Sequence, residues 1–334
     1  MFTFFKNKHE ELPLPPKSPY VPRNLNEARA HILPIVRSAA DRGLTIMGGK
    51  NLSPPAFLGI CRGLDMCFGY DNGDTIVRIN MQNLSAWGIS ADDVYSIAAE
   101  NLMMRSSAPM KEIKDGLFAS SWGDQYGSSR MLLPELMMKH ITEGSPVVMA
   151  PVRNGLFLCS DRNESALALM TQLSEKALNE PQPLSPLMLR LVEGAWTNYI
   201  PAAEAVKLKN MKTRLLAAEY ATQKRYLDQN FKDRGLSIFV AAYLIYGDIA
   251  SAEPLQSGCS WSKGVRAVLP LSDLICFVDP NKPEDAFVVA FDNVMGIVGN
   301  LLTSTNAEPP RFMVEAFPDK TQLAKLRHLA TANA

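Results

Sequence analysis

A polar cluster interrupts the stretch from Leu117 to Asp161, where the pattern is otherwise that of strands and helices. Asp124, Tyr126, Ser129 and Arg130 lie close together, just before an apolar run that predicts a helix from Ser129. An arginine can bind a carboxylate or a phosphate through two parallel hydrogen bonds, and a helix N-terminus also attracts anions. The spacing therefore indicates a candidate anion site on these side chains.

The same side chains also fit a purely structural role. Asp124 or Ser128 can cap the following helix, since short polar side chains accept hydrogen bonds from the first free backbone N–H groups. Tyr126 can pack with its hydroxyl bonded, and Arg130 can pair with Asp124. Capping residues of this kind are common, so the sequence favours the structural interpretation of the cluster.

Ser129 is also the one serine in the cluster to consider as a nucleophile. It lacks the Gly-x-Ser-x-Gly pattern that exposes a catalytic serine on a sharp turn. His140 lies about three turns farther along the predicted helix, which is too far to take the proton of Ser129. The sequence therefore predicts no catalytic residue.

A β-hairpin is predicted after this helix, with Arg153, Asn154 and Gly155 at its turn. Asn-Gly favours a tight turn because both residues tolerate a positive φ angle. Polar residues on loops also contact binding partners. Arg153 and Asn154 are therefore candidate partner contacts, although turn geometry alone explains Asn154 equally well.

Composition excludes several classes of function. The 34 basic and 34 acidic residues cancel, which does not favour binding to nucleic acid or to an anionic membrane. Five cysteines without a Cys-x-x-Cys pair and four scattered histidines predict no disulfide framework and no metal site, as expected in the cytoplasm. No Walker or Gly-x-Gly-x-x-Gly motif suggests a nucleotide, so no cofactor is predicted. The longest apolar run, Ile238 to Tyr246, is too short to span a bilayer.

The order of the elements predicts an α+β protein, with antiparallel or mixed sheets of β-hairpins packed against helices. A Pro-rich arm is expected over residues 1–24 and a first domain over 25–203. A long helical pattern without Gly or Pro, residues 204–234, is interpreted as a connector to a smaller C-terminal α+β domain at 235–334. Asn101, inside an apolar helical run, predicts a buried amide that bonds a neighbouring strand or loop.

Three motifs resemble the YtpQ-like family of bacterial proteins. They are AAENL at Ala98–Leu102, YGSSR at Tyr126–Arg130 and VVMAPVRNGLFL at Val147–Leu158. The stretches ILPIVRS, DNGDTIVRINMQNL and DRNES are also similar, so the resemblance covers residues 31–201 and leaves a C-terminal extension. It implies an α+β domain in a bacterial cytoplasm, and it implies no activity and no catalytic residue.

These observations predict a non-enzymatic binding or accessory protein that acts on a protein partner. The alternative is a hydrolase or transferase that acts on an anionic small molecule through Asp124, Ser129 and Arg130. A third interpretation is RNA binding by the basic residues of the connector helix, but no aromatic stacking platform accompanies them. Those basic residues are Lys207, Lys209, Lys212, Arg214, Lys224 and Arg225.

Overall fold

The computed structural model describes residues 20–48, 53–248 and 251–331. Most of the predicted Pro-rich arm, residues 1–19, lies outside the described residues. The chain has an α+β fold and divides into two compact units, Met1–Leu208 and Lys209–Ala334.

The first unit contains short helices and hairpin strands in alternation. Its helices are α1 (Leu25–Ala28), α2 (Ala39–Gly48), α3 (Met81–Trp87), α4 (Ala91–Met104), α5 (Pro134–Met138) and α6 (Glu164–Ala177). Its strands are β1 (Ile32–Ser38), β2 (Phe57–Cys61), β3 (Leu64–Asp71), β4 (Ile76–Arg78), β5 (Lys111–Lys114), β6 (Leu117–Ala119), β7 (Pro146–Met149), β8 (Phe157–Ser160), β9 (Met188–Val192) and β10 (Ala195–Asn198).

Strand β3 is the centre of the first sheet, with β1 along one side and both β2 and β4 along the other. Pro34 predicts an edge position for β1, because proline cannot donate to a sheet hydrogen bond, and this is confirmed. The predicted turn at Asn72-Gly73 is also confirmed, since it joins the antiparallel strands β3 and β4.

Helix α4 packs against β1 and buries Val94, Ile97, Ala98 and Leu102, the face that their helical spacing predicts. Ser90 caps this helix, because its hydroxyl accepts the N–H of Asp93 at 3.1 Å. Asn101 donates its amide hydrogens to the carbonyl oxygens of Arg29 at 2.7 Å and Ile32 at 2.9 Å. The predicted structural role of this buried amide is confirmed.

The second sheet of this unit is a run of antiparallel hairpins in the order β10-β9-β7-β8-β6-β5. The predicted hairpin around Asn154-Gly155 is confirmed as β7 paired with β8. The predicted turn geometry is wrong, because neither Asn154 nor Gly155 has a positive φ angle. The apolar pattern from Leu187 to Ile200 predicts a single strand, but the structure has the hairpin β9–β10 there. Glu193 and Gly194 form its turn with φ angles of 50° and 81°.

The helix predicted from Ser129 is wrong in length and type. Residues Ser128–Leu132 form a single 3-10 turn, and α5 begins only at Pro134 and ends well before Gly144. Proline lacks the N–H that would continue the first turn into the second, so it starts a new helix instead of extending the old one.

The second unit holds most of a 29-residue helix and two mixed sheets. Its helices are α7 (Ala205–Asp233, beginning in the first unit), α8 (Phe291–Val298) and α9 (Lys320–Thr331). Its strands are β11 (Phe239–Val240), β12 (Leu244–Tyr246), β13 (Gln256–Ser262), β14 (Ala267–Pro270), β15 (Leu274–Asp279), β16 (Lys282–Ala290), β17 (Thr303–Ser304) and β18 (Arg311–Val314).

The two sheets have the strand orders β11-β14-β18-β17 and β12-β13-β15-β16. The continuous apolar run from Ile238 to Tyr246 predicts one strand, and this is wrong, because β11 and β12 belong to different sheets. Helix α7 coincides closely with the predicted helix over 204–234. The boundary between the units falls after Leu208, so most of this helix lies inside the second unit.

Candidate functional site

Asp124, Tyr126, Ser129 and Arg130 lie in the loop and 3-10 turn that connect β6 to α5. The carboxylate of Asp124 accepts the backbone N–H of Tyr126 at 2.9 Å, which fixes the loop locally. A Cβ atom on Gly127 would lie 2.1 Å from the carbonyl oxygen of Asn154. Glycine at this position therefore allows the turn between β7 and β8 to pack directly on the loop.

Arg130 and Asp124 form an ion pair with two parallel hydrogen bonds. Both terminal nitrogens of Arg130 donate to the two carboxylate oxygens of Asp124 at 2.8 Å. The Arg130 side chain is fully buried, whereas that of Asp124 is 31% exposed. Burial alone would raise the pKa of the Asp124 carboxyl, but the hydrogen bonds and charge of Arg130 outweigh it and hold that pKa below its ordinary value.

The other donors of Arg130 also have partners inside the fold. Its Nε donates to the hydroxyl of Ser106 at 2.8 Å, and one terminal nitrogen also donates to the carbonyl of Arg105 at 3.0 Å. The guanidinium carbon lies 4.1 Å from the centre of the Trp122 ring. An anion could therefore reach Arg130 in this arrangement only by displacing Asp124.

Tyr126 contacts a second ion pair, which Asp71 forms with Arg105. Its hydroxyl donates to Asp71 at 3.1 Å, and the same carboxylate oxygen accepts from Arg105 at 2.9 Å. Burial, followed by the charge and hydrogen bond of Asp71, raises the pKa of the Tyr126 hydroxyl. Asp71 and Arg105 were missed as members of the cluster, because in sequence they appear only as a turn residue and a helix end.

Ser129 is buried against the edge of the first sheet. Its hydroxyl oxygen accepts the backbone N–H of Val36 at 3.3 Å and so satisfies a donor on strand β1. His140 lies elsewhere, with its ring centre 5.0 Å from that of Phe118. The geometry gives Ser129 a role in holding β1, and it places no histidine beside the hydroxyl.

Arg153 and Asn154 adjoin the cluster through the main chain. The carbonyl of Arg153 accepts from the N–H and the hydroxyl of Ser128 at 3.1 Å and 2.6 Å. Asn154 is exposed, and its carbonyl accepts the hydroxyl of Ser120 at 3.2 Å. The structure thus brings all six predicted residues into one region, with Asn154 on its surface and Arg153 partly covered.

A surface depression of about 680 Å³ is lined by residues of strand β6, of the segment after α5 and of the start of α6. Phe118, His140, Glu143, Arg162 and Asn163 are among the residues that line it. Burial and, second, the charge of Lys139 lower the pKa of His140. Asn163 caps α6 by accepting the N–H of Ala166 at 3.1 Å, so this amide already has a structural partner.

The most exposed apolar strand of the second unit is β12. Leu244, Ile245 and Tyr246 are 47%, 38% and 48% exposed, although each is a large apolar or aromatic residue. Within the described residues, β12 pairs only with β13, so it forms one edge of its sheet. The sequence did not identify this surface, because the run from Ile238 to Tyr246 has the composition of a buried strand.

Several basic residues of α7 have acidic partners. Lys207 lies 3.6 Å from Glu204, and Lys224 lies 2.8 Å from Asp228. Lys209 lies 3.3 Å from Asp273. These pairs neutralise much of the basic pattern that suggested RNA binding.

No protein-family model, no curated protein and no solved structure matches this chain. The resemblance to the YtpQ-like family therefore stays a prediction from the three motifs. Among the described residues, no group of three or more histidine, cysteine or carboxylate side chains could hold a metal ion. Within the same residues, no helix is both long enough and apolar enough to cross a bilayer.

Proposed function

We propose that this protein is a non-enzymatic binding protein of the cytoplasm, and that strand β12 binds an extended apolar segment of a protein partner. The observation that carries the proposal is the exposure of three consecutive apolar residues, Leu244, Ile245 and Tyr246, on a sheet edge. An exposed edge of this kind is a template for a further strand.

The backbone of β12 supports this kind of partner. In an antiparallel pair, only about half of the backbone N–H and C=O groups of an edge strand bond to its neighbour, and the rest point outward. Side chains alternate along a strand, so Leu244 and Tyr246 share one face and Ile245 lies on the other. A partner strand added here would pair with the outward groups and cover apolar surface on both faces.

Two aromatic contacts join β12 and the residue before it to the rest of the second unit. The ring of Tyr243 stacks on that of Tyr220, with 4.8 Å between their centres. The ring of Tyr246 lies across Gly258 of β13, where a Cβ atom would be 2.8 Å from it. A strand that is already ordered loses little conformational entropy on binding, which favours affinity.

The enzyme alternative has less support. It requires Asp124 to release Arg130, and it requires a buried Ser129 hydroxyl to reach a substrate.

The free state of all five cysteines supports a reducing compartment such as the cytoplasm.

The test is capture of partners from an extract of the source cells, followed by binding measurements with the purified partner. The edge variant is Leu244→Lys/Ile245→Lys, which adds charge at two exposed positions without disturbing Tyr246. The matched control is Val265→Lys, which makes the same kind of change at another exposed apolar residue of the same unit.

The proposal predicts a partner whose affinity falls at least about tenfold with the edge variant and stays unchanged with the control. A partner that binds both variants as tightly as the wild type would contradict the assignment to β12. Self-association that the edge variant abolishes would identify a second copy of the chain as the partner.

A further inference from the structure

Two arginines from separate strands of the first sheet converge on one carboxylate, and a third arginine lies close by. Arg37 lies on β1 and Arg78 on β4, and both strands pair with β3. Arg37 is opposite Asp65, and Arg78 is opposite Gly69, two positions of β3 that point to the same face. Both guanidinium groups approach one carboxylate oxygen of Asp41, at 3.6 Å from Arg37 and 2.8 Å from Arg78.

The third arginine, Arg153, belongs to the turn between β7 and β8, which the main chain brings next to β1. Ser128 holds the carbonyl of Arg153, and the adjacent Ser129 binds the N–H of Val36, the residue before Arg37. Burial, and then the positive charge of Arg153, lower the pKa of the Arg37 guanidinium. Arg37, Arg78, Arg153 and Asp41 are called the arginine cluster below.

The charges of the arginine cluster do not balance. Arg37 and Arg78 share the single carboxylate of Asp41, and within the described residues no acidic side chain forms an ion pair with Arg153. The two other carboxylates on this face of β3 already have arginine partners outside the cluster. Asp65 accepts from Arg42 at 2.6 Å, and Asp71 accepts from Arg105 at 2.9 Å.

The hydrogen bonds of the cluster are also incomplete. Within the described part of the chain, Nε and Nη2 of Arg153 and Nε of Arg37 are buried without a hydrogen-bond partner. The near oxygen of Asp41 receives no well-directed hydrogen bond either, although Arg78 is only 2.8 Å away. A buried charged donor without an acceptor is costly, and an unplaced ion is one of the ordinary explanations for it.

We infer that the arginine cluster is a binding site for a phosphoryl dianion, either inorganic phosphate or the phosphate of a small monoester. Three guanidinium groups opposed by one carboxylate leave an excess of two positive charges, which matches a dianion. Planar guanidinium groups bind phosphate oxygens through paired hydrogen bonds. Arg78 and Asp41, each about one-third exposed, form the side that faces solvent, where the anion arrives.

This site is distinct from the Asp124–Arg130 pair, in which Asp124 already occupies the guanidinium group. It does not depend on the proposed role of β12. The free donors belong to Arg37 and Arg153, and only Arg153 was among the residues singled out from the sequence. The inference can therefore fail while the proposed function stands, and the reverse is also true.

The test is isothermal titration of the full chain with inorganic phosphate and with glycerol 3-phosphate, at constant ionic strength. Succinate serves as the carboxylate dianion for comparison. The variants are Arg153→Met and Arg78→Met, which remove a charge and keep a long side chain. The matched control is Arg266→Met in the second unit, where the arginine is exposed and pairs with Glu315 at 2.7 Å.

Wild type and Arg266→Met are expected to bind phosphate, its monoester or both, and to bind them more tightly than succinate. Each cluster variant is expected to weaken binding about tenfold or more, the effect of losing one charge-assisted hydrogen bond. Binding of the monoester alone would identify esters as the ligand source. No binding of either phosphate, tighter binding of succinate, or equal affinity in the variants would overturn the inference.

Melting in phosphate-free buffer provides a second readout. Arg153→Met is expected to melt no lower than the wild type, because it removes a buried charge whose donors have no partner. A clearly lower melting temperature would show that Arg153 stabilises the empty fold, and this would overturn the inference. If Arg153→Met does not fold, Arg153 stabilises the empty fold, and that result also overturns the inference.

Discussion

Replacement of Arg130 by methionine tests the structural role of the Asp124–Arg130 pair. Arg130 is fully buried and makes two hydrogen bonds to Asp124, one to Ser106 and one to the carbonyl of Arg105. Methionine keeps much of the side-chain volume but removes all four bonds and the contact of the charge with Trp122. We therefore expect the first unit to lose a substantial part of its stability.

The size of this loss of stability follows from the polar groups that lose Arg130 as a hydrogen-bond partner. The Arg105 carbonyl loses its charged donor inside the fold, at about 1–3 kcal/mol for an unsatisfied group. The Ser106 hydroxyl also loses a charged donor but still donates to the carbonyl of Leu102 at 2.6 Å, so it adds less. Asp124 is 31% exposed, so water replaces part of what it loses, and its share is discounted. The expected total is about 3–5 kcal/mol, which is the range for a buried ion pair that loses one partner.

Urea unfolding followed by tryptophan fluorescence measures this change. The double variant Asp124→Asn/Arg130→Met should be less destabilised than the sum of the two single variants, with a coupling energy of about 2 kcal/mol. Arg266→Met, which breaks an exposed pair, should cost less than about 1 kcal/mol. A loss of under about 1 kcal/mol for Arg130→Met would refute the structural role and return Arg130 to the candidate ligand residues.

Three further predictions concern other parts of the molecule. Because the pKa of Asp124 is lower in the folded state, its stabilising contribution is complete above about pH 4 and is lost as the pH falls through the folded-state pKa. Urea unfolding from neutral to acid pH should show a smaller acid loss for Asp124→Asn than for the wild type. Asn101→Leu should lower the free energy of unfolding by about 1–3 kcal/mol, because the carbonyls of Arg29 and Ile32 lose a donor, and thermal melting checks this. Arg311→Met should destabilise the second unit by about 3–5 kcal/mol, since the buried guanidinium donates to Gln223 and to the carbonyls of Ala241 and Val268. Hydrogen exchange measures this, and slower exchange or no change in that unit would contradict the prediction.

Local signals predicted much of the fold. Asn72-Gly73 specifies a tight turn with a positive φ angle at Gly73, and Ser90 with Asp93 specifies a helix start, because each depends only on residues close in the chain. Pro34 predicted an edge strand for the same reason. Asn154-Gly155 marks a hairpin correctly, but it does not form the expected turn. The run from Ser129 failed because Pro134 divides what the apolar pattern presents as one helix.

The candidate site could be predicted only in part. The pairing of Arg130 with Asp124 was available from the sequence, because the two residues are six positions apart. The partnership of Tyr126 with Asp71 spans 55 positions and depends on how two elements pack. The approach of Arg37 and Arg78 to Asp41 depends on strand register, which no pattern in the sequence specifies.

The exposed edge at β12 shows a further limit of sequence patterns. Leu244, Ile245 and Tyr246 have the composition of a core strand, and a pattern of apolar residues cannot distinguish a buried strand from one on a sheet edge. Only the pairing of β12 with β13 on one side reveals the unpaired edge. This edge is the basis of the proposed function.

Hydrogen exchange at β12 tests the central claim most directly. The backbone amides of Leu244, Ile245 and Tyr246 would be followed in the free protein and with the purified partner captured by the wild type. We predict that an outward-pointing amide of this strand exchanges at least about tenfold more slowly in the complex, because it gains a hydrogen bond to the added strand. Unchanged exchange at β12, with protection elsewhere, would contradict the claim that this edge binds the partner.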